Sequence, residues 1–377
     1  MTQKIDEKFI NLALNLSRKN IGKTNENPSV GCVIVKNNSI ISTGITAKNG
    51  RPHAEVEAIK KISDKKILEG ATLYVSLEPC SHNGKTSPCV DEIIKYKFAR
   101  VVICSIDPDH RVCGNGVKIL QKSGIQVEVG VGEKESQKIN RDFFKSKLEN
   151  KPFVTLKIAT SLDGKIATKN FQSKWITSEN SRKFGNFLRS KNQAILVGAN
   201  TVRIDNPSLD CRILGLEEYS PIKIIICKKL DFTFDENIFT KNLQTSTIIV
   251  CPESQKNNSN LSKFLQKNPQ NLAIFCEEID NKIDLKIALK KLNEIGINSI
   301  LIEGGSSIIT QFLQHDLVDE LIWIQAGIII GNDGLEGVGK LGFNDLNHVI
   351  SNFQLQKFWQ IENDLIRVFK KIETEIF

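Results

Sequence analysis

The chain has 377 residues, 40% of them hydrophobic and 25% charged, with a formal net charge of +8. That length and apolar share suit two globular domains with buried cores, and no apolar run is long enough for a membrane-spanning helix. The lysines are dispersed rather than clustered, which argues against a nucleic-acid surface; anionic small molecules match the positive balance equally well.

Nine cysteines are scattered along the chain. Cys32, Cys104, Cys227, Cys251 and Cys276 sit in or beside apolar, strand-like runs, where a free cysteine acts as a small buried hydrophobe. The first twenty residues carry acidic side chains and place Phe9, Leu12, Ala13 and Leu16 at helical spacing, so an amphipathic helix is expected there and no secretory leader. A reducing cytoplasmic setting is the matching expectation.

The first half alternates strands and helices. A helix over about 5–19 precedes two strand runs in "VGCVIVKNNSIISTGI", joined by a turn at Asn37-Asn38. A helix from His53, the strand "ATLYVSL", a helix from about Pro88 and the strand "RVVICSI" come next. A short helix "GVKILQKSG", the strand "IQVEVGV" and a charged helix from Glu133 to about Leu148 complete this half. Such alternation predicts a largely parallel sheet covered on both faces. Pro152 ends helical character, and the domain boundary is placed between residues 147 and 148.

The second half restarts the alternation with "FVTLKIA", a helix near 178–190 and the strand "QAILVGA". The polar stretch "TVRIDNPSLDCR" reads as a loop after that strand. Three further strand runs, a helix over about 283–295, "NSILIEGG", a helix from Ser306 and the apolar run "ELIWIQAGIII" follow. The last predicted elements, in "FQLQKFWQIENDLIRVFKKI", form a closing antiparallel pair.

The stretch "GRPHAEVEAIKK" sets His53 and Glu55 two apart at a helix start. Alone, this fits a solvated helix N-terminus as well as a metal site. The stretch "EPCSHNGKTSPC" supplies Cys80 and Cys89, each after a proline and at a strand-to-helix turn. Two thiolates and one imidazole are a standard catalytic zinc set that leaves the fourth position for water. Helix N-termini facing the metal stabilise thiolates. His53, Cys80 and Cys89 are therefore the candidate ligands of one zinc ion. Glu55, not a ligand, is the candidate that takes a proton from water and returns it to a leaving amine. His53-Ala54-Glu55 fits the H-x-E half of the zinc-deaminase signature, but eight residues instead of two separate the cysteines. A purely structural zinc site, with His82 as fourth ligand, stays open at this point.

"NPSVGCVIV", "HAEVEAI" and "LEPCSHNGKTSPC" together resemble the deaminase domain of the bifunctional riboflavin-biosynthesis deaminase-reductase family, in which the long spacer is normal. "VTLKIATSLDGKIA", "WITS", "VGANTVRIDNPSLDCR" and "LIEGGSSIITQFL" resemble the reductase domain of the same family. The resemblance implies a cytidine-deaminase-like three-layer α/β/α domain over 1–147, then a dihydrofolate-reductase-like α/β domain over 148–377. It implies zinc in the first domain and NADPH in the second, phosphorylated pyrimidine substrates, and assembly as a homo-oligomer, dimer or tetramer.

Residue by residue, the resemblance makes Asn27 a contact to the pyrimidine ring, and His82 and Lys85 contacts to the ribose phosphate. In the second domain it makes Ser173, Arg189, Leu209, Arg212 and Glu303 substrate contacts. Ala159, Trp175, Thr201 and Asp205 become cofactor contacts. Gly305, Ser306 and Ser307, at a strand-to-helix turn, suit a pyrophosphate, because glycine permits close approach to free backbone amides. The turn lacks the G-x-G-x-x-G pattern, so a Rossmann domain is not indicated. Ser87 stands where the family usually has proline, Cys113 where it has a small apolar residue, and Cys227 where it has aspartate, which leaves a cofactor contact at Lys228 open. Lys157 falls near the reacting centre with no role assigned. Two other functions remain: a deaminase acting on nucleic-acid bases, which needs a basic aromatic groove, and a zinc-stabilised interaction protein.

Overall fold

The computed structural model describes residues 2–82, 87–345 and 353–372. The chain divides into two compact units, Met1–Lys151 and Pro152–Phe377. The 147/148 position falls inside the helix Arg141–Glu149.

In the first unit a five-stranded sheet has the order β2-β1-β3-β4-β5. Its strands are β1 (Gly31–Lys36), β2 (Ser39–Ile45), β3 (Thr72–Val75), β4 (Arg100–Ile103) and β5 (Gln126–Val129). Asn37 and Asn38 both adopt positive φ, the conformation a two-residue hairpin turn demands. β3, β4 and β5 run parallel, but β1 is antiparallel to both β2 and β3. The sheet is thus mixed rather than largely parallel, because the β1–β2 hairpin reverses the chain before the first crossover helix.

Alternate residues of each strand point to opposite faces. Val33, Val35, Tyr74 and Val102 pack with Phe9, Ile10, Ala13 and Leu14 of the helix Thr2–Ser17 on one side. Ile34, Leu73, Val75, Val101 and Ile103 pack with Ala54, Ala58, Val90, Ile93 and Leu120 of three helices on the other. These are the three layers expected. The predicted helix 133–148 is two helices, Glu133–Ile139 and Arg141–Glu149. Asn140 between them is buried, and its Oδ1 accepts the Ser29 backbone N–H at 2.8 Å. That contact to a distant loop breaks a helix that local pattern alone would continue.

The second unit is built on a nine-stranded sheet, ordered β11-β10-β9-β8-β14-β6-β15-β18-β17. In chain order its elements are β6 (Phe153–Thr160), β7 (Lys165–Ala167), β8 (Ala194–Gly198), β9 (Ile222–Ile226), β10 (Thr247–Pro252) and β11 (Leu272–Cys276). β12 (Glu278–Ile279), β13 (Lys282–Ile283), β14 (Ser299–Ile302), β15 (Glu320–Gln325) and β16 (Leu335–Glu336) follow. β17 (Phe353–Ile361) and β18 (Asp364–Lys371) form the expected antiparallel pair, and β18 continues onto β15. The pairings from β11 through β15 are parallel. One face packs on the helices Leu285–Glu294 and Ser306–Gln314, the other on a group that includes Phe232, Phe234, Phe239 and Phe264. The 201–212 stretch is not all loop: Ala199–Asp205 is helical and ends at Asn206, which takes positive φ. Among the described residues, no helix is long and apolar enough to cross a membrane.

Candidate functional sites

His53 is the residue that precedes the helix Ala54–Lys60, and Cys89 is the first residue of the helix Cys89–Lys95. Cys80 sits in the turn after β3. These placements bring the three side chains together: His53 Nδ1 lies 3.5 Å from Cys80 Sγ and 3.3 Å from Cys89 Sγ. Their ligand atoms all lie within 4.8 Å of one another, the one such group of three among the described residues. Cys113 is exposed and outside it.

The electrostatics match a cation. The Cys89 backbone N–H donates to Cys80 Sγ at 3.3 Å. The Cys89 thiol, with His53 and that N–H, pushes the Cys80 thiol down to about 4 against the opposing effect of burial. Cys89 is pushed up by Cys80 beside it and by burial. A second thiolate at this distance is costly without a positive charge between the sulfurs. Two sulfurs and an imidazole nitrogen suit zinc in ligand type and number.

Glu55 is 3% exposed in the first turn of its helix, and burial raises its carboxyl to about 6, opposed by His53. It interacts with the Cys89 thiol, which places the carboxyl at the edge of the ligand trio. Asn27 lies in the loop before β1. Its backbone N–H donates to Thr24 O at 3.1 Å, and Thr24 Oγ1 donates back to Asn27 O at 2.7 Å. His82 Nδ1 is buried with no hydrogen-bond partner among the described residues. Lys85 lies outside the described residues.

Sequence reasoning missed Glu78. Its buried carboxylate accepts the backbone N–H groups of Asp107 at 3.1 Å, Gly114 at 2.9 Å and Val117 at 3.3 Å. It ties the Cys80 turn to the loop after β4. The acid next to Pro79-Cys80 was the available signal.

In the second unit, a cavity of about 1030 Å³ opens along the ends of β6, β8, β9 and β14. Ala159, Trp175, Thr201 and Asp205 line it, as do Gly305, Ser306 and Ser307. Ser173, Lys157 and Glu303 also line it. Gly305 begins the helix Ser306–Gln314, and no side chain caps its end. The Gly305 N–H donates to Thr201 Oγ1 at 3.2 Å, which joins two of the expected cofactor contacts. Trp175 is exposed, with the Arg182 guanidinium 4.0 Å from its ring centre.

Arg189, Leu209 and Arg212 are not among the lining residues. Arg189 stands behind Glu303. Its Nε and Nη2 donate to the two carboxylate oxygens at 2.9 and 3.0 Å, and its Nη1 donates to the Asp210 carbonyl at 3.0 Å. Leu209 is buried with positive φ. Arg212 is exposed on a second hollow, and its backbone N–H donates to Asn186 Oδ1 at 3.2 Å. Lys157 Nζ lies 3.6 Å from Glu303 Oε2. Burial alone would raise the Glu303 carboxyl, but Arg189 and Lys157 outweigh it and hold the group at about 2. Cys227 and Lys228 both line the cavity. Sequence reasoning did not single out Arg182 or Arg203, which also line it.

Residues 3–105 match the cytidine and deoxycytidylate deaminase zinc-binding region, and residues 152–367 match the RibD C-terminal domain. The molecule is therefore a zinc-type deaminase joined to a reductase on one chain. A riboflavin biosynthesis protein RibD from Aquifex aeolicus is 38% identical over 371 residues, covering 98% of this chain and 100% of that one. The chain belongs to the RibD family of bifunctional deaminase-reductases in riboflavin biosynthesis.

The solved structures agree over the full length. RibD from Acinetobacter baumannii aligns at a TM-score of 0.87 with 30% identity, covering 99% of this chain and 100% of that chain. A Thermotoga maritima protein described as a diaminohydroxyphosphoribosylaminopyrimidine deaminase/5-amino-6-(5-phosphoribosylamino)uracil reductase aligns at 0.85 with 32% identity. It covers 99% of this chain and 100% of that chain. The family implies zinc in the first unit and a nicotinamide cofactor in the second.

Proposed function

We propose that the first unit deaminates 2,5-diamino-6-ribosylamino-4(3H)-pyrimidinone 5′-phosphate at ring carbon C2, and that the second reduces the ribosyl group of the product to ribityl with NADPH. The product is 5-amino-6-ribitylamino-uracil 5′-phosphate. The observation that carries this reading is the trio His53, Cys80 and Cys89 with the Glu55 carboxyl beside it.

His53, Cys80 and Cys89 would hold one zinc ion per chain, which supplies Lewis acidity that makes water nucleophilic near neutral pH. The Glu55 carboxylate accepts the proton of that water on an oxygen and returns it to the departing amine, so ammonia leaves. Burial favours the protonated Glu55 carboxyl, which suits the group to carry a proton between water and amine. Asn27 orients the pyrimidine ring. His82, whose Nδ1 is buried without a partner among the described residues, and Lys85 take the ribose phosphate.

NADPH, when bound, supplies the hydride for sugar C1. Gly305, Ser306 and Ser307 hold the cofactor pyrophosphate on backbone amides at the start of their helix. Ala159, Trp175, Thr201 and Asp205 line the rest of its cavity. Ser173 and Glu303 contact the substrate from the wall, and Arg189 backs Glu303 through its two carboxylate bonds while it also holds the Asp210 carbonyl. This step needs orientation more than covalent chemistry.

The test uses the full chain loaded with zinc. Incubated with the diaminopyrimidine phosphate alone, it should release ammonia and the deaminated pyrimidine; the ribityl product should appear only when NADPH is added. Absence of ammonia from a zinc-loaded, folded protein would end the first half of this reading. Deaminated product that stays unreduced with NADPH would end the second.

A further inference from the structure

Lys223 lies on β9 and is 1% exposed, although its neighbours in "IKIII" are all isoleucine. An ammonium at that depth is costly unless each donor finds a partner. Here the Nζ donates to Lys241 O at 2.8 Å and Ile238 O at 3.1 Å. Its third direction faces Asp210 Oδ1 at 3.6 Å, where the Asn242 amide also donates at 3.2 Å. Desolvation lowers the Lys223 pKa, and Asp210 opposes that shift.

Asp210 is the point of interest. Its carboxylate faces Lys223, while its backbone carbonyl receives the Arg189 guanidinium. Arg189 in turn forks onto Glu303, which lines the reductase cavity with Lys157. The chain Lys223–Asp210–Arg189–Glu303 therefore runs from the buried side of the sheet to the cavity wall. Leu209, at positive φ, sets the turn that lets Asp210 face both ways.

We propose that Lys223 is a positioning residue of the reductase site: by anchoring Asp210 it fixes the carbonyl that orients the Arg189–Glu303 pair. The inference rests on the reading that this pair serves the phosphorylated substrate. The competing role, anchoring the 238–241 turn alone, does not require a charge. Removing one partner of a buried pair costs stability, because the other is left uncompensated, so Lys223→Met is read on the KM of its folded fraction and not on its melting temperature alone. By strand alternation Lys223 shares its sheet face with Ile225, which packs in the cluster that holds Phe239.

The experiment compares Lys223→Met, Lys223→Arg and Asp210→Asn in the full-length, zinc-loaded enzyme. Reduction is followed with the deaminated phosphorylated pyrimidine, NADPH binding by fluorescence titration, and folding by thermal melting. Lys223→Met should raise KM for the pyrimidine by about tenfold, the scale of one misplaced charge-assisted bond. NADPH affinity should stay within about twofold, since the pyrophosphate turn is untouched. Lys223→Arg should restore KM, and Asp210→Asn should raise it in the same direction. A purely structural role would lower the melting temperature or the active fraction and leave KM alone; that result overturns the proposal. If Lys223→Met does not fold, Asp210→Asn with normal KM overturns it equally. Arg189→Lys separates the two layers: a changed KM there with normal KM in Lys223→Met removes the inference only, while a normal KM there removes the underlying reading as well.

Discussion

Gly50 closes directly on the side chain of Asn27. A Cβ added at Gly50 would stand 2.3 Å from Asn27 Nδ2 and 2.7 Å from Thr24 O, and the residue holds φ at +84°. The same glycine begins the segment that delivers His53. Gly50→Ala should therefore displace Asn27 and strain the backbone at once. We expect KM for the diaminopyrimidine substrate to rise by roughly tenfold or more, with zinc content unchanged because His53 lies beyond the pivot. Steady-state deamination paired with metal analysis checks this; an unaltered KM would detach Asn27 from the substrate.

Glu55 and Cys80 should separate chemistry from metal binding. Glu55→Gln should retain zinc and lose deamination by at least about 100-fold, the scale of general acid–base catalysis. The same variant should still reduce the deaminated intermediate with NADPH, since the cavity belongs to the other unit. Cys80→Ser should lose zinc. Undiminished zinc in Cys80→Ser, or lost zinc in Glu55→Gln, would reverse the assigned roles.

Gly305 tests the cofactor end of the cavity. A Cβ there meets only Thr201 Oγ1, at 3.6 Å, an ordinary contact. The protein itself thus has room for a Cβ at this position, so Gly305→Ala, checked for folding beside Gly305→Val, directs the loss to the ligand. Gly305→Val should weaken NADPH binding by on the order of tenfold or more and leave deamination within about twofold. Titration with NADPH alone is the measurement, and wild-type affinity would move the pyrophosphate elsewhere.

Glu303 links the reductase site to acid stability. Its carboxyl lies at about 2 in the fold, below the ordinary glutamate value of 4.5 despite burial, because Arg189 and Lys157 face it. A depressed carboxyl stabilises the fold above its unfolded pKa and loses that contribution as pH falls through the folded value. The stability difference between wild type and Glu303→Gln should therefore be constant near neutrality and shrink as pH drops from about 4.5 toward 2. Denaturant unfolding of both proteins across that range decides it. A difference that widens on acidification would contradict the charge pairing.

Much of this protein was readable as one-dimensional pattern. Asn37-Asn38 announced a hairpin because few residues accept positive φ, and the strand runs announced themselves by apolar content. His53, Cys80 and Cys89 could be grouped without coordinates because few side chains bind zinc, and His53 and Cys89 lie where a turn meets a helix. The tertiary structure decided what depends on partners far along the chain. The antiparallel seat of β1 beside β3 depends on how a hairpin docks, and the break at Asn140 on a bond to Ser29 more than a hundred residues away. The resemblance makes Arg189 a substrate contact; only the fold sets it behind Glu303, off the cavity wall, with the Asp210 carbonyl at its other side. Lys223 shows the limit most plainly. In sequence it is the polar residue of an apolar strand, which alternation would point toward solvent. In the fold, carbonyls from residues 238 and 241 and the carboxylate of Asp210 converge on its ammonium, and that convergence lets a charge stay buried.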